Sequence, residues 1–218
     1  MKMFRKAMAL CLSLCLCLVF GAVIFRIYIA EHYPEGTVRM VFTEPLAEYY
    51  EANKETFAPE TQYIRFPYDS ADDGNFFAAG LIVVKEAGNL QITMRYNESA
   101  LGKVAEFYKL TSPITPDQGL FRYTLTASHN ETEDGSDFRT YDASFVAEDN
   151  AYMYRYAKLA FDGVDFDGAV WMRVDIYYGE EEKPFGHICI YEARAFDGEN
   201  MVDMAFTPYD VDKEDLPK

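Results

Sequence analysis

Polar and apolar positions follow three rules along this chain, and each rule predicts a different element. Residues 7–25 run apolar without a charge, preceded by Lys2, Arg5 and Lys6 and closed by Arg26. As a helix these 19 residues extend about 28 Å, close to the hydrocarbon thickness of a bilayer. Farther on, apolar and polar positions alternate with a period of two, the rhythm of half-buried strands. Leu90, Ile92, Met94 and Tyr96 share one face against Gln91, Thr93, Arg95 and Asn97. Phe121, Tyr123, Leu125 and Ala127 repeat the pattern against Arg122, Thr124 and Thr126, and Val170, Met172, Val174, Ile176 and Tyr178 form a third stripe. Residues 76–84 are apolar throughout, which predicts a strand buried on both faces or leaning on a second layer. Glu86 to Asn89 supplies a turn, so 76–97 reads as a hairpin. Further strands are predicted at 38–43, 62–67, 138–147, 151–161, 186–195 and 200–206. Helical spacing appears over 45–57 and over 99–108, the second with Ser99 as its N-cap.

Many short strands separated by turn signals predict a mainly β fold, an antiparallel β-sandwich of immunoglobulin-like or jelly-roll-like type with one or two short helices. A single transmembrane helix precedes it. The organisation expected is a cytoplasmic basic tail over 1–6, a signal-anchor over 7–30, a juxtamembrane strand-helix-strand segment over 31–75, the sandwich over 76–207 and an acidic tail over 208–218. The 31–75 segment is either an extra layer on the sandwich or a subdomain near the membrane. No internal repeat of fixed period stands out.

The basic residues ahead of the apolar run favour a cytoplasmic N-terminus. Cleavage is disfavoured, because cuts after Ala22 or Ala30 would place Phe20 or Tyr28 at the position that small residues normally fill. Cys11, Cys15 and Cys17 each follow a leucine, unlike the small residue that precedes a lipid-modified cysteine, and read as apolar packing residues. The expectation is a single-pass protein of the cell membrane with its C-terminal domain extracytoplasmic.

Charge sharpens that picture. The first 35 residues hold four bases against Glu31 and Glu35, leaving −18 of the chain's −16 on the 183 residues from Gly36 onward. Such a domain repels nucleic acid and anionic lipid. Cys189 is its only cysteine, so it can hold no internal disulfide.

Candidate chemistry is sparse. Nucleophile elbows, Ser-x-x-Lys pairs and His-Glu-x-x-His helices are missing from the sequence. His187 and Cys189 share a strand face, but nothing beside them supplies an oxyanion site. Asp162, Asp165 and Asp167, with Gly163 and Gly168 between and after them, could give calcium several oxygens, although the spacing is not that of an EF-hand. Glu131, Glu133, Asp134 and Asp137 form a second acidic loop. Solvated turns are the plainer reading of both. Trp171, Arg173, Asp175 and Tyr177 lie on one face of their strand, and exposed rings flanked by a charged pair would suit a sugar. Tyr152, Tyr154 and Tyr156 form a similar row. If the 36–75 segment covers the Trp171 face, that tryptophan is core instead.

The expected role is therefore non-enzymatic binding or assembly at the cell envelope, with the membrane as one partner through the helix and an envelope protein as another. No cofactor is expected beyond possible calcium. The alternatives are a glycan-binding module using the Trp171 face and, third, a wall-polymer hydrolase with two undesignated carboxylates.

Overall fold

The stripes predicted from alternation meet one another in a common core. The computed structural model describes residues 2–32, 38–63, 76–115, 119–129, 138–151, 154–192 and 206–208. The N-terminal apolar run forms α1 (Lys2–His32). Within it, Met8–Tyr28 is long and apolar enough to cross a membrane, and none of that stretch is buried against the rest of the chain.

The remainder is mainly antiparallel β in two sheets of five strands. The first is ordered β1 (Glu60–Tyr63), β2 (Phe77–Val84), β3 (Asn89–Tyr96), β7 (Tyr154–Phe161), β6 (Phe145–Ala151). The second is ordered β10 (Phe206–Pro208), β9 (Gly186–Glu192), β8 (Trp171–Tyr178), β4 (Phe121–Ser128), β5 (Phe138–Asp142). Setting β1 and β10 aside, the chain makes a hairpin in the first sheet, then one in the second, and repeats the sequence. β3 meets β7 and β4 meets β8 at the centre.

One core joins the two sheets. Leu90, Ile92, Met94 and Leu159 of the first share it with Leu125, Val174, Ile176 and Ile188 of the second. At one end Phe76 is fully buried, its ring 5.0 Å from both Tyr96 and Phe121 and 6.0 Å from Phe185. α3 (Glu98–Phe107) adds Leu101 and Val104 to this core.

The outer face of the first sheet is also covered. β2 is buried along nearly its whole length, as a continuous apolar run requires. Val38 and Met40 pack on its Ala79, Ile82 and Phe77, and α2 (Glu44–Ala52) places Leu46 fully out of solvent. The segment before residue 60 thus covers the first sheet, not the Trp171 face, which belongs to the second.

Several boundaries differ from expectation for identifiable reasons. Residues 38–43 are not a strand. The Val41 N–H donates to the Gln91 side chain at 2.8 Å and its C=O accepts from the same amide at 2.7 Å, so a side chain stands where a neighbouring strand would. The predicted strand 138–147 is two strands. Ala143 N–H bonds to Tyr123 in the second sheet, while Ser144 N–H bonds to Ala160 in the first, so the chain changes layer between them. α3 is capped by Asn97, whose side chain accepts from the Ala100 N–H at 3.2 Å, not by Ser99. α2 ends at Ala52, short of the predicted 57. The acidic loop 131–137, Tyr152, most of the 200–206 strand and most of the 208–218 tail lie outside the described residues.

Candidate functional site

The Asp162–Gly168 loop leaves β7 and leads toward β8, and the carboxylates of Asp162 and Asp165 turn to different partners. Asp162 accepts hydrogen bonds from Thr43 Oγ1 at 2.8 Å, Asn89 Nδ2 at 2.7 Å and Ser144 Oγ at 2.6 Å. It thereby ties the segment before α2 to the starts of β3 and β6. Asp165 faces the other way. Its carboxylate accepts from the Asp167 N–H at 3.0 Å and pairs with Arg139 of β5, with His129 3.9 Å away. The Asp167 amide, helped by Arg139, holds the Asp165 carboxyl below its ordinary range. The Asp167 side chain is exposed. A calcium site needs six or more oxygens converging on one point. Among the described residues, no group of three or more His, Cys, Asp and Glu side chains is placed to hold a metal.

The same loop forms one wall of a cleft of about 1130 Å³ between the two sheets. Its floor is apolar, built from Leu81, Val83 and Leu90 of the first sheet and Met172 and Ile190 of the second. Val164 and Phe166 add to it from the loop. The rim carries Glu60, Glu86, Asp165 and Asp167; Lys85 lies 3.6 Å from Glu60, and Asp165 is paired with Arg139. The turn at Gly88 holds the wall in place. Its C=O accepts the Val164 N–H at 2.8 Å, and its φ of +58° is one that side chains rarely adopt. A Cβ there would meet the Val164 oxygen at 3.1 Å. An apolar floor beneath an acidic rim is suited to a segment that carries apolar side chains beside basic ones. Of the candidate site residues named from sequence, Asp165 and Asp167 lie here, with Gly163 and Gly168 of the same loop. Glu60 and the Lys85–Glu86 turn come from segments distant from the loop, and nothing in their local sequence marks them as part of a site.

Trp171, Arg173, Asp175 and Tyr177 do share the outer face of β8, and all four are engaged within the sheet. Asp175 is 2% exposed and accepts from Thr126 Oγ1 at 2.9 Å and from Arg173 Nε. Trp171 is 9% exposed and meets Phe138 edge-to-face, with ring centroids 5.2 Å apart. The Arg173 guanidinium lies over the Trp171 ring at 5.3 Å. Tyr177 is half-buried beneath Arg122, whose guanidinium sits 4.1 Å from its ring centre. His187 stands opposite Asp175 and Cys189 opposite Arg173. Burial, with Arg173 nearby, lowers the His187 pKa.

Tyr154 and Tyr156 belong to the outer face of the first sheet instead. They are buried there, with Arg95 stacked 4.1 Å from the Tyr154 ring. Sequence reasoning missed the pair Asn89 and Gln91, which are buried polar side chains on the same face. Their signal was available: polar residues alternating on a strand that neighbours a continuous apolar run imply a covering layer.

Compared with protein-family models, with curated proteins and with solved structures, the chain matches none, so its function is read from this geometry.

Proposed function

We propose that this chain is a membrane-anchored extracytoplasmic protein that binds a partner protein at the cell envelope without catalysing a reaction. The observation that carries the reading is a 21-residue apolar span left wholly uncovered by the fold, followed within ten residues by a domain fixed in place through Val38–Thr43. An uncovered apolar helix of that length is stable in a bilayer and costly in water. The bases before it orient the N-terminus to the cytoplasm. In this proposal the two sheets are the faces of an antiparallel β-sandwich. With the short strands β1 and β10 left out, eight strands divide four and four, the strand count of a jelly roll. The acid-rimmed cleft is the partner site, and a segment with apolar and basic side chains is the ligand it fits.

The glycan-binding alternative draws less from the geometry, because a ring that stacks on sugar must be reachable and Trp171 is nearly closed off. A capture experiment separates the readings. The full chain in lipid nanodiscs is exposed to solubilised envelope, with and without prior protease treatment of that envelope. Expected is a protease-sensitive ligand whose capture is lost when the exposed rim is reversed by Glu86→Lys and Asp167→Lys. Capture that survives protease but disappears with Trp171→Ala would establish glycan recognition. Release of the protein from membranes by alkaline carbonate would remove the anchor from the proposal.

A further inference from the structure

An aromatic cluster stands where the chain enters the folded domain. Phe42 lies against Tyr50, with ring centroids 5.3 Å apart, and against Phe57 at 6.3 Å. Phe57 also meets Tyr50 at 5.0 Å and Tyr49 at 6.5 Å. Phe42 is 48% exposed, and the other three rings are half-buried. Four rings that support one another at the surface form a rigid apolar patch with two phenol hydroxyls at its edge. Tyrosine phenols concentrate at the boundary between lipid and water, and phenylalanine rings serve on the inserted apolar face of interfacial segments.

The patch cannot swing away from the domain. Gln91 holds Val41, and Asp162 holds Thr43, on either side of Phe42. Nor can it travel far from the helix. Five residues separate His32 from Val38, which limits their Cα separation to about 20 Å. The four residues of α1 beyond Tyr28 add about 6 Å to the apolar span. The charges of α2 are arranged to suit this placement. Glu44, Glu48 and Glu51 are exposed and follow the i, i+4, i+7 rule, so they form a stripe on the side opposite buried Leu46. Tyr49 and Tyr50 flank Leu46, and the Glu51–Lys54 ion pair at 2.6 Å marks the edge of the patch, with the Lys54 ammonium 5.9 Å from the Tyr50 ring centre.

The geometry points to a lipid-facing surface: the Phe42, Tyr50 and Phe57 rings rest in the interface of the same bilayer that α1 crosses, and fix the tilt of the domain on it. This inference rests on the membrane-anchored reading above, and the occupant it names is the headgroup layer of zwitterionic lipid. Anionic lipid is disfavoured by the Glu44–Glu48–Glu51 stripe with Glu55 nearby, against Arg39 and Lys54.

The test reconstitutes the full chain in phosphatidylcholine nanodiscs with and without brominated acyl chains, which quench nearby indoles. Two variants are compared, Phe42→Trp and Tyr28→Trp, and the unsubstituted protein, whose only tryptophan is the buried Trp171, supplies the baseline. Expected is quenching of the added emission in both variants, strongest at position 42 when bromine sits near the headgroup end of the chain. Replacing part of the phosphatidylcholine by phosphatidylglycerol is expected to reduce quenching at 42 and leave it unchanged at 28. Quenching at 28 with none at 42 overturns the docking surface while leaving the anchor intact. Absence of quenching at both positions overturns the anchor and the docking surface together. An indole at 42 that is shielded from acrylamide yet untouched by brominated lipid means that a protein, such as a second copy, covers the patch, and this also overturns the proposal.

Discussion

Asp162 offers the sharpest test of how the covering segment is held. Removing its carboxylate with Asp162→Ala deletes bonds from Thr43, Asn89 and Ser144 at 2.6 to 2.8 Å. A hydrogen bond to a charged acceptor contributes about 1.5–3 kcal/mol when well buried. Two of these three are partly buried and one is exposed, so the sum is discounted to about 3 kcal/mol. Asp162→Asn is a different experiment. The amide oxygen can keep both bonds made to Oδ1, from Thr43 and Asn89. The amide N–H₂ can donate to Ser144, whose hydroxyl is then free to give its proton to the Ala160 carbonyl 3.0 Å away. The isosteric variant should therefore cost only about 1 kcal/mol, the difference between charged and neutral acceptors.

The assay is urea unfolding of the full chain in detergent micelles, followed by the fluorescence of Trp171. With a slope of about 2 kcal/mol per molar, typical of urea, the alanine variant should move the midpoint down by about 1.5 M. Hydrogen exchange supplies a local readout. The Val41 amide, held by Gln91, should exchange faster in Asp162→Ala, because Asn89 loses one of its two partners and Gln91 bonds to Asn89 at 3.0 Å. Core amides of β3 should slow or quicken only with global stability. Equal losses in the alanine and asparagine variants would refute the hydrogen-bond account and require the charge itself. That result would return attention to calcium, which an asparagine in place of a carboxylate binds less well.

Three further outcomes follow from the same structure. Phe76→Ala, which empties a site ringed by Tyr96, Phe121 and Phe185, should cost about 4 kcal/mol in the same unfolding assay. Gly88→Ala should cost about 1–2 kcal/mol, since it forces a side chain into φ +58° and against the Val164 oxygen, and it should weaken binding at the cleft through the displaced wall. His187 has its pKa lowered below 6.5 by burial, so the unfolded chain takes up a proton before the folded one does. Stability should accordingly be level in this respect above about pH 6.5 and fall as pH drops toward the folded pKa, and His187→Gln should flatten that slope.

The core of the fold was readable because burial on one face leaves a period-two trace. The Leu90, Phe121 and Val170 stripes each supply inward-facing residues of β3, β4 and β8, and the apolar 76–84 run is a strand covered on both sides. What escaped reading depends on contacts between distant segments. Residues 38–43 alternate like a strand, but their backbone partner is the side chain of Gln91, fifty positions away. The change of layer at Ala143 and Ser144 is set by two backbone bonds to different sheets and leaves the alternation undisturbed. Asn97 and Ser99 are both good caps two residues apart, and only the geometry selects Asn97. The cleft rim gathers Glu60, Lys85, Glu86, Asp165 and Asp167 from three stretches of chain, so no local window contains it.

The buried polar face of the first sheet has a physical purpose that an apolar one would not serve. Val38 and Met40 alone could slide along Ala79, Ile82 and Phe77, since apolar contact has little directional preference. Gln91 and Asp162 remove that freedom, because their hydrogen bonds are satisfied in one register only and a slipped segment would bury them unpaired. The consequence reaches α2. Thr43 occupies its N-cap position and its C=O accepts the Ala47 N–H at 2.8 Å; its side chain makes no capping bond, and its hydroxyl donates to Asp162, 119 positions away in sequence. That bond ends one residue before Gly163 and Val164, which line the cleft, and Val164 is itself tied to Gly88. A continuous set of hydrogen bonds therefore runs from the wall of the cleft to the point where the chain arrives from α1. Spatial continuity alone does not establish coupling; faster exchange of the Val41 amide in Gly88→Ala, which displaces the wall, would establish it.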